Sequence, residues 1–193
     1  VPLRREYART GDMELGAGER IGGNTYIFAT DFGGVDNNDC RPLVAVRNAE
    51  FKPKRWCVYG NTELEFLHSL PKRRSVGGKV VVECGWRAEG SAIVEARGGD
   101  GQWHKTGEVD AVGRFEFPLP QSACGTDKIY VRIVGDGGKK TGVQIYGYKT
   151  EIDFEGESLS FCGSTKYFEA ESGRLFAEAK AFRACARIGA GIS

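Results

Sequence analysis

The chain has 193 residues, of which 28 are glycine, and its 27 Lys and Arg side chains are almost balanced by 26 Asp and Glu, for a formal net charge of +1. The length suits one large domain, or a domain with a short appended element. The balanced charge argues against a dedicated nucleic-acid-binding protein, which needs a clustered basic face, and the chain has no run of about 18 apolar residues that would predict membrane insertion.

The first 22 residues, 1–22, are polar and rich in glycine, which predicts a loose lead-in segment. From residue 23 to 160, short runs of alternating apolar and polar residues recur between Gly, Asn and Asp, most clearly at 63–68, 128–134 and 143–154. Such spacing is typical of all-β proteins. We therefore predict an all-β fold over 23–160, an antiparallel β-sandwich of jelly-roll type with about ten strands.

Alternation also predicts where individual side chains point, because every second residue of a strand faces the same side. Val80, Val82 and Trp86 fall on one face, so Trp86 is predicted to enter the core. His68 falls on the apolar face of the run 63–68, which indicates a packed or rim histidine rather than a general base.

The segment 161–193 is predicted to be a C-terminal extension or the start of a further element. Residues 166–179 favour a hairpin that turns at Ser172-Gly173. Residues 174–187 are rich in alanine, the best helix former. We therefore predict that this segment begins as a hairpin and has a helical or frayed end.

Six cysteines are spread along the chain at widely spaced positions, and none forms a C-x-x-C motif. Their even number allows fifteen pairings, and disulfides would place the protein in an oxidising compartment, at the cell surface or outside the cell. The alternative is that several are small buried hydrophobes. Cys84, on the apolar face of its run, illustrates that alternative.

Residues 31–39 pack five oxygen-bearing side chains into a stretch with two glycines. Calcium takes six to eight oxygen ligands, partly from backbone carbonyls. We predict a structural calcium site at Asp31, Asp36, Asn38 and Asp39. An ordinary turn, closed by the hydrogen bonds of Asn and Asp side chains, explains the same residues.

No motif for a catalytic centre stands out, and the prediction is a protein that is not an enzyme. Residues 135–141 resemble a phosphate-binding loop, but Lys139 stands where that motif needs glycine, so a hairpin loop is predicted there. Acidic pairs within 153–157 and 169–171 are common on exposed strands and do not by themselves predict a glycoside hydrolase.

Aromatic residues near turns are the candidates for ligand contact, because a ring face packs well on the C–H face of a sugar. The candidates are Trp103, beside a glycine-rich loop, its neighbour His104, and Tyr59, Tyr146 and Tyr148.

The runs 129–133 and 143–148 resemble the closing strands of galactose-binding-like jelly rolls, a carbohydrate-binding-module type of β-sandwich. Such modules accompany carbohydrate-active enzymes and cell-surface proteins, and a structural calcium is consistent with them. The resemblance implies a non-catalytic module that binds a polysaccharide or glycan and is joined to other domains of a parent protein. Two alternatives remain open: a structural or protein-interaction domain without a small ligand, and a glycoside hydrolase that uses paired carboxylates.

Overall fold

The computed structural model describes residues 3–10, 15, 18–30, 32, 42–156, 162–169 and 175–181, with side chains for 15, 18–30, 32 and 42–156. The chain divides into a larger unit, Leu15–Glu157, and a smaller unit formed by Val1–Glu14 and Ser158–Ser193. Within the described ranges, no helix has the length and apolar character needed to cross a membrane.

Fifteen strands are found among the described residues, and they pair in antiparallel register. In chain order they are β1 (Leu3–Thr10), β2 (Glu19–Gly22), β3 (Thr25–Thr30), β4 (Leu43–Arg47), β5 (Glu50–Lys52), β6 (Arg55–Val58), β7 (Glu63–Ser69), β8 (Arg73–Arg87), β9 (Ala92–Arg97), β10 (His104–Val109), β11 (Gly113–Pro118), β12 (Lys128–Gly135), β13 (Val143–Gly156), β14 (Cys162–Glu169) and β15 (Leu175–Ala181).

Two sheets build the larger unit. The five-stranded sheet has the order β10-β9-β12-β7-β4, and the seven-stranded sheet has the order β11-β8-β13-β3-β2, with β5 and β6 attached through β13. From β7 to β13 the chain changes sheet at every connection except the β9–β10 hairpin, which is a jelly-roll order. The predicted all-β sandwich is confirmed. Its strands outnumber the predicted ten because short strands such as β2 and β5 carry too few residues to show alternation.

Aromatic rings from both sheets meet in the core. Phe66 of β7 stacks on Tyr148 of β13 with ring centroids 4.0 Å apart and planes 10° apart. Phe28 of β3 packs against both rings, at 6.4 and 5.9 Å. All three side chains are almost fully buried. These contacts join the inner faces of the two sheets and exclude water from between them.

A chain of hydrogen bonds runs through this aromatic core. Thr150 Oγ1 donates to the Tyr148 hydroxyl at 2.6 Å, and the Tyr148 hydroxyl lies 3.0 Å from His68 Nε2. On the other side of the imidazole, His68 Nδ1 lies 3.3 Å from the Tyr26 hydroxyl, which donates to Glu19 at 2.7 Å. With the proton of His68 on Nδ1, the ring donates to Tyr26 and accepts from Tyr148, so each hydroxyl in the chain donates one hydrogen bond. His68 is fully buried, which confirms it as a packed histidine whose polar atoms are satisfied.

The smaller unit is a three-stranded antiparallel sheet of order β1-β14-β15. Strands β14 and β15 form the predicted hairpin. The predicted loose lead-in is wrong for residues 3–10, which form β1 and pair with β14 along their whole length. It is also wrong for residues 19–22, which form β2 and pair with β3 in the larger unit. Backbone hydrogen bonds hold such edge strands whatever their polarity, which is why a polar sequence concealed them. Of the alanine-rich stretch 174–187, residues 175–181 form the strand β15 and not a helix, and residues 182–187 lie outside the described residues.

The loop over residues 135–141 is not a hairpin, because β12 and β13 belong to different sheets. Asp136 organises it: its carboxylate accepts hydrogen bonds from the backbone N–H of Gly138 at 2.9 Å and of Ser91 at 2.7 Å, and from the Thr141 hydroxyl. These bonds, above all that from Thr141, lower the pKa of Asp136. The loop thus serves as a rigid inter-sheet connection.

Three cysteines lie among the residues with described side chains, and all three are free thiols: Cys57, Cys84 and Cys124. Cys84 is 3% exposed, and burial raises the pKa of its thiol, as it does for Cys124. The interpretation of Cys84 as a small buried hydrophobe is confirmed. Cys40, Cys162 and Cys185 lie outside the described side chains.

Truncation of the central aromatic stack is expected to destabilise the larger unit strongly. Phe66→Ala removes a buried ring and leaves a cavity, which typically costs about 3–5 kcal/mol in the free energy of unfolding. Val112→Ala, at a side chain that is 62% exposed, should change it by less than about 0.5 kcal/mol. Urea unfolding followed by tryptophan fluorescence compares the two variants, and equal midpoints would contradict the proposed core.

Candidate functional site

The outer face of the five-stranded sheet carries a row of charged side chains. In the register of β9, β12 and β7, Glu95 lies opposite Arg132, which lies opposite Glu65. Arg132 Nε lies 2.6 Å from Glu95, and Arg132 Nη1 lies 3.8 Å from Glu63. Arg97 Nη2 lies 3.3 Å from Glu65. The inner positions of the same strands are apolar, so the period of two places these charges on the solvent side.

Two aromatic rings cover the arginines of this row. The Trp103 ring centroid lies 4.5 Å from the guanidinium carbon of Arg97 and 4.2 Å from that of Arg132. The Tyr130 ring, directly opposite Arg97 in the register, lies 4.4 Å from the Arg97 guanidinium. These are cation–π distances. Ion pairs and ring contacts together fix both guanidinium groups on the surface of the sheet.

The loop of the β9–β10 hairpin positions Trp103. A Cβ at Gly98 would lie 1.8 Å from the Ala123 carbonyl oxygen, so this close approach requires glycine. Gln102 N–H donates to Asp100 Oδ1 at 2.9 Å, and His104 Nε2 lies 2.6 Å from Asp100 Oδ2. Both hydrogen bonds lower the pKa of Asp100, the one from Gln102 more than the one from His104. His104 therefore holds the loop that carries Trp103.

We call this surface the first face. It consists of Trp103, Tyr130, Arg97, Arg132, Glu65 and Glu95. The guanidinium groups supply hydrogen-bond donors, the carboxylates supply acceptors, and the rings supply apolar faces. This combination suits a ligand with many hydroxyl groups and apolar C–H faces.

The other predicted aromatic residues do not join Trp103. Tyr59 and Tyr146 lie on the outer face of the seven-stranded sheet, on the opposite side of the sandwich. Tyr148 is 2% exposed and belongs to the core, so its prediction as a surface ligand contact is wrong. The reason is a β-bulge at Tyr146, where the register steps from Ile145 to Gly147 and places Tyr146 and Tyr148 on opposite faces.

Sequence reasoning missed most of the first face. Tyr130 and Arg132 share the outer side of an alternating run, and Glu65 and Glu95 share the outer sides of two others. That pattern indicates an exposed polar face for each strand. It does not show that β12 lies between β7 and β9, and only this order brings the charges and rings together.

The predicted calcium ligands Asp31, Asp36, Asn38 and Asp39 lie outside the described residues. Within the residues that the structure does describe, no group of three or more His, Cys, Asp and Glu side chains is arranged to hold a metal ion.

One open depression, of about 450 Å³, lies on the outer face of the seven-stranded sheet. Its lining includes Lys79, Glu116, Glu151 and Asp153. Lys79 Nζ lies 2.7 Å from Glu116 and 3.8 Å from Glu151, and Asp153 accepts a hydrogen bond from Thr25 at 2.6 Å. These charges compensate one another, and Lys79 lowers the pKa of Glu116. The arrangement is a surface ion-pair network.

Comparisons with known proteins find similarity to solved structures alone. No family model matches the chain, and no curated protein matches it. Among solved structures, a family 29 carbohydrate-binding module from Piromyces equi shares 9% identity over 78% of this chain and 91% of its own, with a TM-score of 0.39. The chain spans only 34% of an acetyl xylan esterase from Butyrivibrio proteoclasticus, which shares 14% identity over 68% of this chain, with a TM-score of 0.40.

A family 115 4-O-methyl-α-glucuronidase with specificity for decorated arabinogalactans is also similar, with 12% identity over 56% of this chain and 16% of its own, at a TM-score of 0.37. A carbohydrate-binding module is thus among the solved structures to which the chain is similar. With identities below 25% and TM-scores below 0.5, these similarities assign neither a family nor a ligand.

Titration of Asp100 should reveal the hydrogen bonds that shape the Trp103 loop. The pKa of this carboxyl is lowered in the folded chain, so its contribution favours the folded state above the ordinary titration range of a carboxyl and is lost as the pH falls through the lowered pKa. NMR titration of the Asp100 side-chain carbon should give a pKa below the ordinary value. His104→Ala should raise it partway, leaving the effect of the Gln102 N–H. An Asp100 pKa that does not respond to His104→Ala would contradict the contact.

Proposed function

We propose that this chain is a non-catalytic binding module for an uncharged glycan, and that the glycan binds on the first face. The observation that carries this proposal is the indole of Trp103 held over Arg97 and Arg132, whose guanidinium groups are themselves anchored by carboxylates. A ring and a set of hydrogen-bonding groups are therefore already in place before a ligand arrives. Preorganised side chains reduce the entropy that binding costs.

The charge balance of the face supports an uncharged ligand. The two guanidinium groups of the face stand against the two carboxylates of Glu65 and Glu95, and the neighbouring Glu63 is paired with Arg47 at 3.2 Å. The face therefore has no surplus of positive charge for an anionic polysaccharide, which would have to displace existing ion pairs. Hydroxyl groups, in contrast, can donate to the carboxylates and accept from the guanidinium groups without breaking them.

The pairing of the carboxylates supports binding over hydrolysis. A glycoside hydrolase needs one carboxyl that donates a proton and a second that acts as base or nucleophile. Glu65 and Glu95 flank Arg132 in the register, and each is in an ion pair with an arginine. The geometry serves to orient hydrogen-bond partners. An extracellular location and attachment to other domains of a parent protein accompany this proposal as predictions.

Removal of the Trp103 ring is the direct test. Trp103→Ala is expected to weaken binding of neutral hexasaccharides at the first face by about fivefold or more, because a ring contact of this kind contributes about 1 kcal/mol or more. Trp103→Phe should retain part of the affinity, and Val112→Ala should retain all of it. Isothermal titration calorimetry against cellohexaose, xylohexaose and mannohexaose measures these affinities. Failure of the native chain to bind across a wider glycan array would refute the proposal.

Salt dependence tests the charge of the ligand separately. Binding of a neutral oligosaccharide should change by less than about twofold between low salt and about 0.5 M NaCl, because no net charge is neutralised. Polygalacturonate should not bind at either concentration. Tight binding of polygalacturonate that weakens steeply with salt would show that the site takes anionic sugars instead.

A further inference from the structure

The outer face of the seven-stranded sheet carries a second group of exposed aromatic side chains. Trp86 of β8 is 46% exposed and Tyr59, which follows β6, is 39% exposed. The prediction that Trp86 enters the core is wrong: Val80 and Val82 are buried as expected, but Trp86 is not. Both rings lie on the side of the sandwich opposite the first face.

Two opposed bulges expose Trp86. In the register of β8 and β13, Gln144 pairs with Trp86 and Ile145 with Cys84, so Gly85 is an extra residue on β8. Such an extra residue reverses the alternation and turns the next side chain outward. Tyr146 is the matching extra residue on β13.

Gly85 is needed because the Tyr146 ring lies over it. A Cβ at Gly85 would stand 2.4 Å from Tyr146 Cδ2. The absence of a side chain at this position lets the tyrosine ring lie against the backbone of β8. The ring is held beside Trp86 in a position that a side chain at residue 85 would block.

Polar groups are interleaved with these rings. The register places Trp86, Gln144, Cys57 and Glu50 in one row across four strands. The Tyr59 hydroxyl donates to Glu50 at 2.8 Å, which raises the pKa of Tyr59 to about 12 and keeps it a hydrogen-bond donor.

Arg55 adds a donor to the same face. Its guanidinium carbon lies 5.9 Å from the Tyr146 ring centroid. Its Nη1 donates to the backbone carbonyl of Pro53 at 3.2 Å, which holds the guanidinium on this face.

We propose that this surface, the second face, is a second binding site for a neutral glycan chain. It consists of Trp86, Tyr146, Tyr59, Gln144, Arg55 and Glu50. The ligand class rests on the proposed function, while the site is argued from these contacts alone. Two sites on opposite sheets make the chain bivalent, so that it joins two glycan chains or two segments of one.

Size and composition favour a glycan over a protein partner. Stable protein interfaces bury about 800 Å² per partner, and their centres are depleted of charged residues. Here every ring adjoins a charged or amide side chain, and Glu50 is further paired with Lys52 at 3.3 Å.

The Cα atoms of Trp86 and Tyr59 are about 12 Å apart when estimated from strand spacing and residue rise. An extended oligosaccharide spans that distance and a monosaccharide does not.

The experiment counts sites on the full chain. Isothermal titration calorimetry with the hexasaccharide that binds the native chain should give two ligands per chain, and one for each of Trp86→Ala and Trp103→Ala. Trp86→Phe should retain the second site at an affinity reduced by less than about tenfold, and Val112→Ala should retain both. The second site should bind hexasaccharide at least about tenfold more tightly than disaccharide.

The outcomes separate this inference from the proposed function. One ligand per chain that is lost only in Trp103→Ala would overturn the second face and leave the first intact. One ligand lost only in Trp86→Ala would support the second face and refute the first, and no binding would overturn both. A native dimer that Trp86→Ala dissociates in sedimentation velocity would identify the face as a contact between copies of this chain and overturn the glycan site.

Cross-linking gives an independent readout. Addition of the native chain to dilute hydroxyethylcellulose, arabinoxylan or galactomannan should raise the particle size in dynamic light scattering, because a bivalent protein links polymer chains. Either single alanine variant should abolish the rise. A rise that persists in Trp86→Ala would contradict a role for the second face in linking chains.

Discussion

The stack of Phe66 on Tyr148 is the contact on which the surfaces of the sandwich depend. It brings the inner faces of the two sheets together and thereby fixes which side of every strand is hidden. Because alternate side chains of a strand point to opposite sides, burial of Leu64, Phe66 and His68 on β7 places Glu63 and Glu65 outside. The charged row of the first face therefore lies on the same strands as the hydrophobic core, on their solvent-facing side.

Bulges decide where this simple alternation fails. At Gly85 and Tyr146 each strand carries one extra residue, and the two irregularities compensate so that β8 and β13 pair again on either side. The result is one tyrosine, Tyr148, turned into the core and one tryptophan, Trp86, turned out of it. Bulges re-aim side chains without ending a sheet, and here they move one aromatic residue in each direction.

The two faces share a design in which polar groups are positioned by partners within the protein. On the first face, carboxylates hold the guanidinium groups on which Trp103 lies. On the second, Glu50 holds Tyr59 and Gly85 makes room for Tyr146. Side chains restrained in this way lose little freedom on binding. The Asp136 loop and the Asp100–His104 contact apply the same principle to the connections between strands.

The sequence by itself determined the fold class, because alternating runs between glycine-rich turns can bury their apolar sides only by packing sheet on sheet. It also indicated a packed or rim position for His68, offered a buried Cys84 as one of two alternatives, and placed Trp103 and His104 beside a glycine-rich loop. Tertiary structure decided the rest. Arg97, Tyr130 and Arg132 become neighbours of Trp103 only because β12 lies between β7 and β9, and strand order depends on long-range contacts that no local pattern records. The exposure of Trp86 and the burial of Tyr148 follow from bulges, which arise where two particular strands meet and therefore leave no mark on the period of either strand alone.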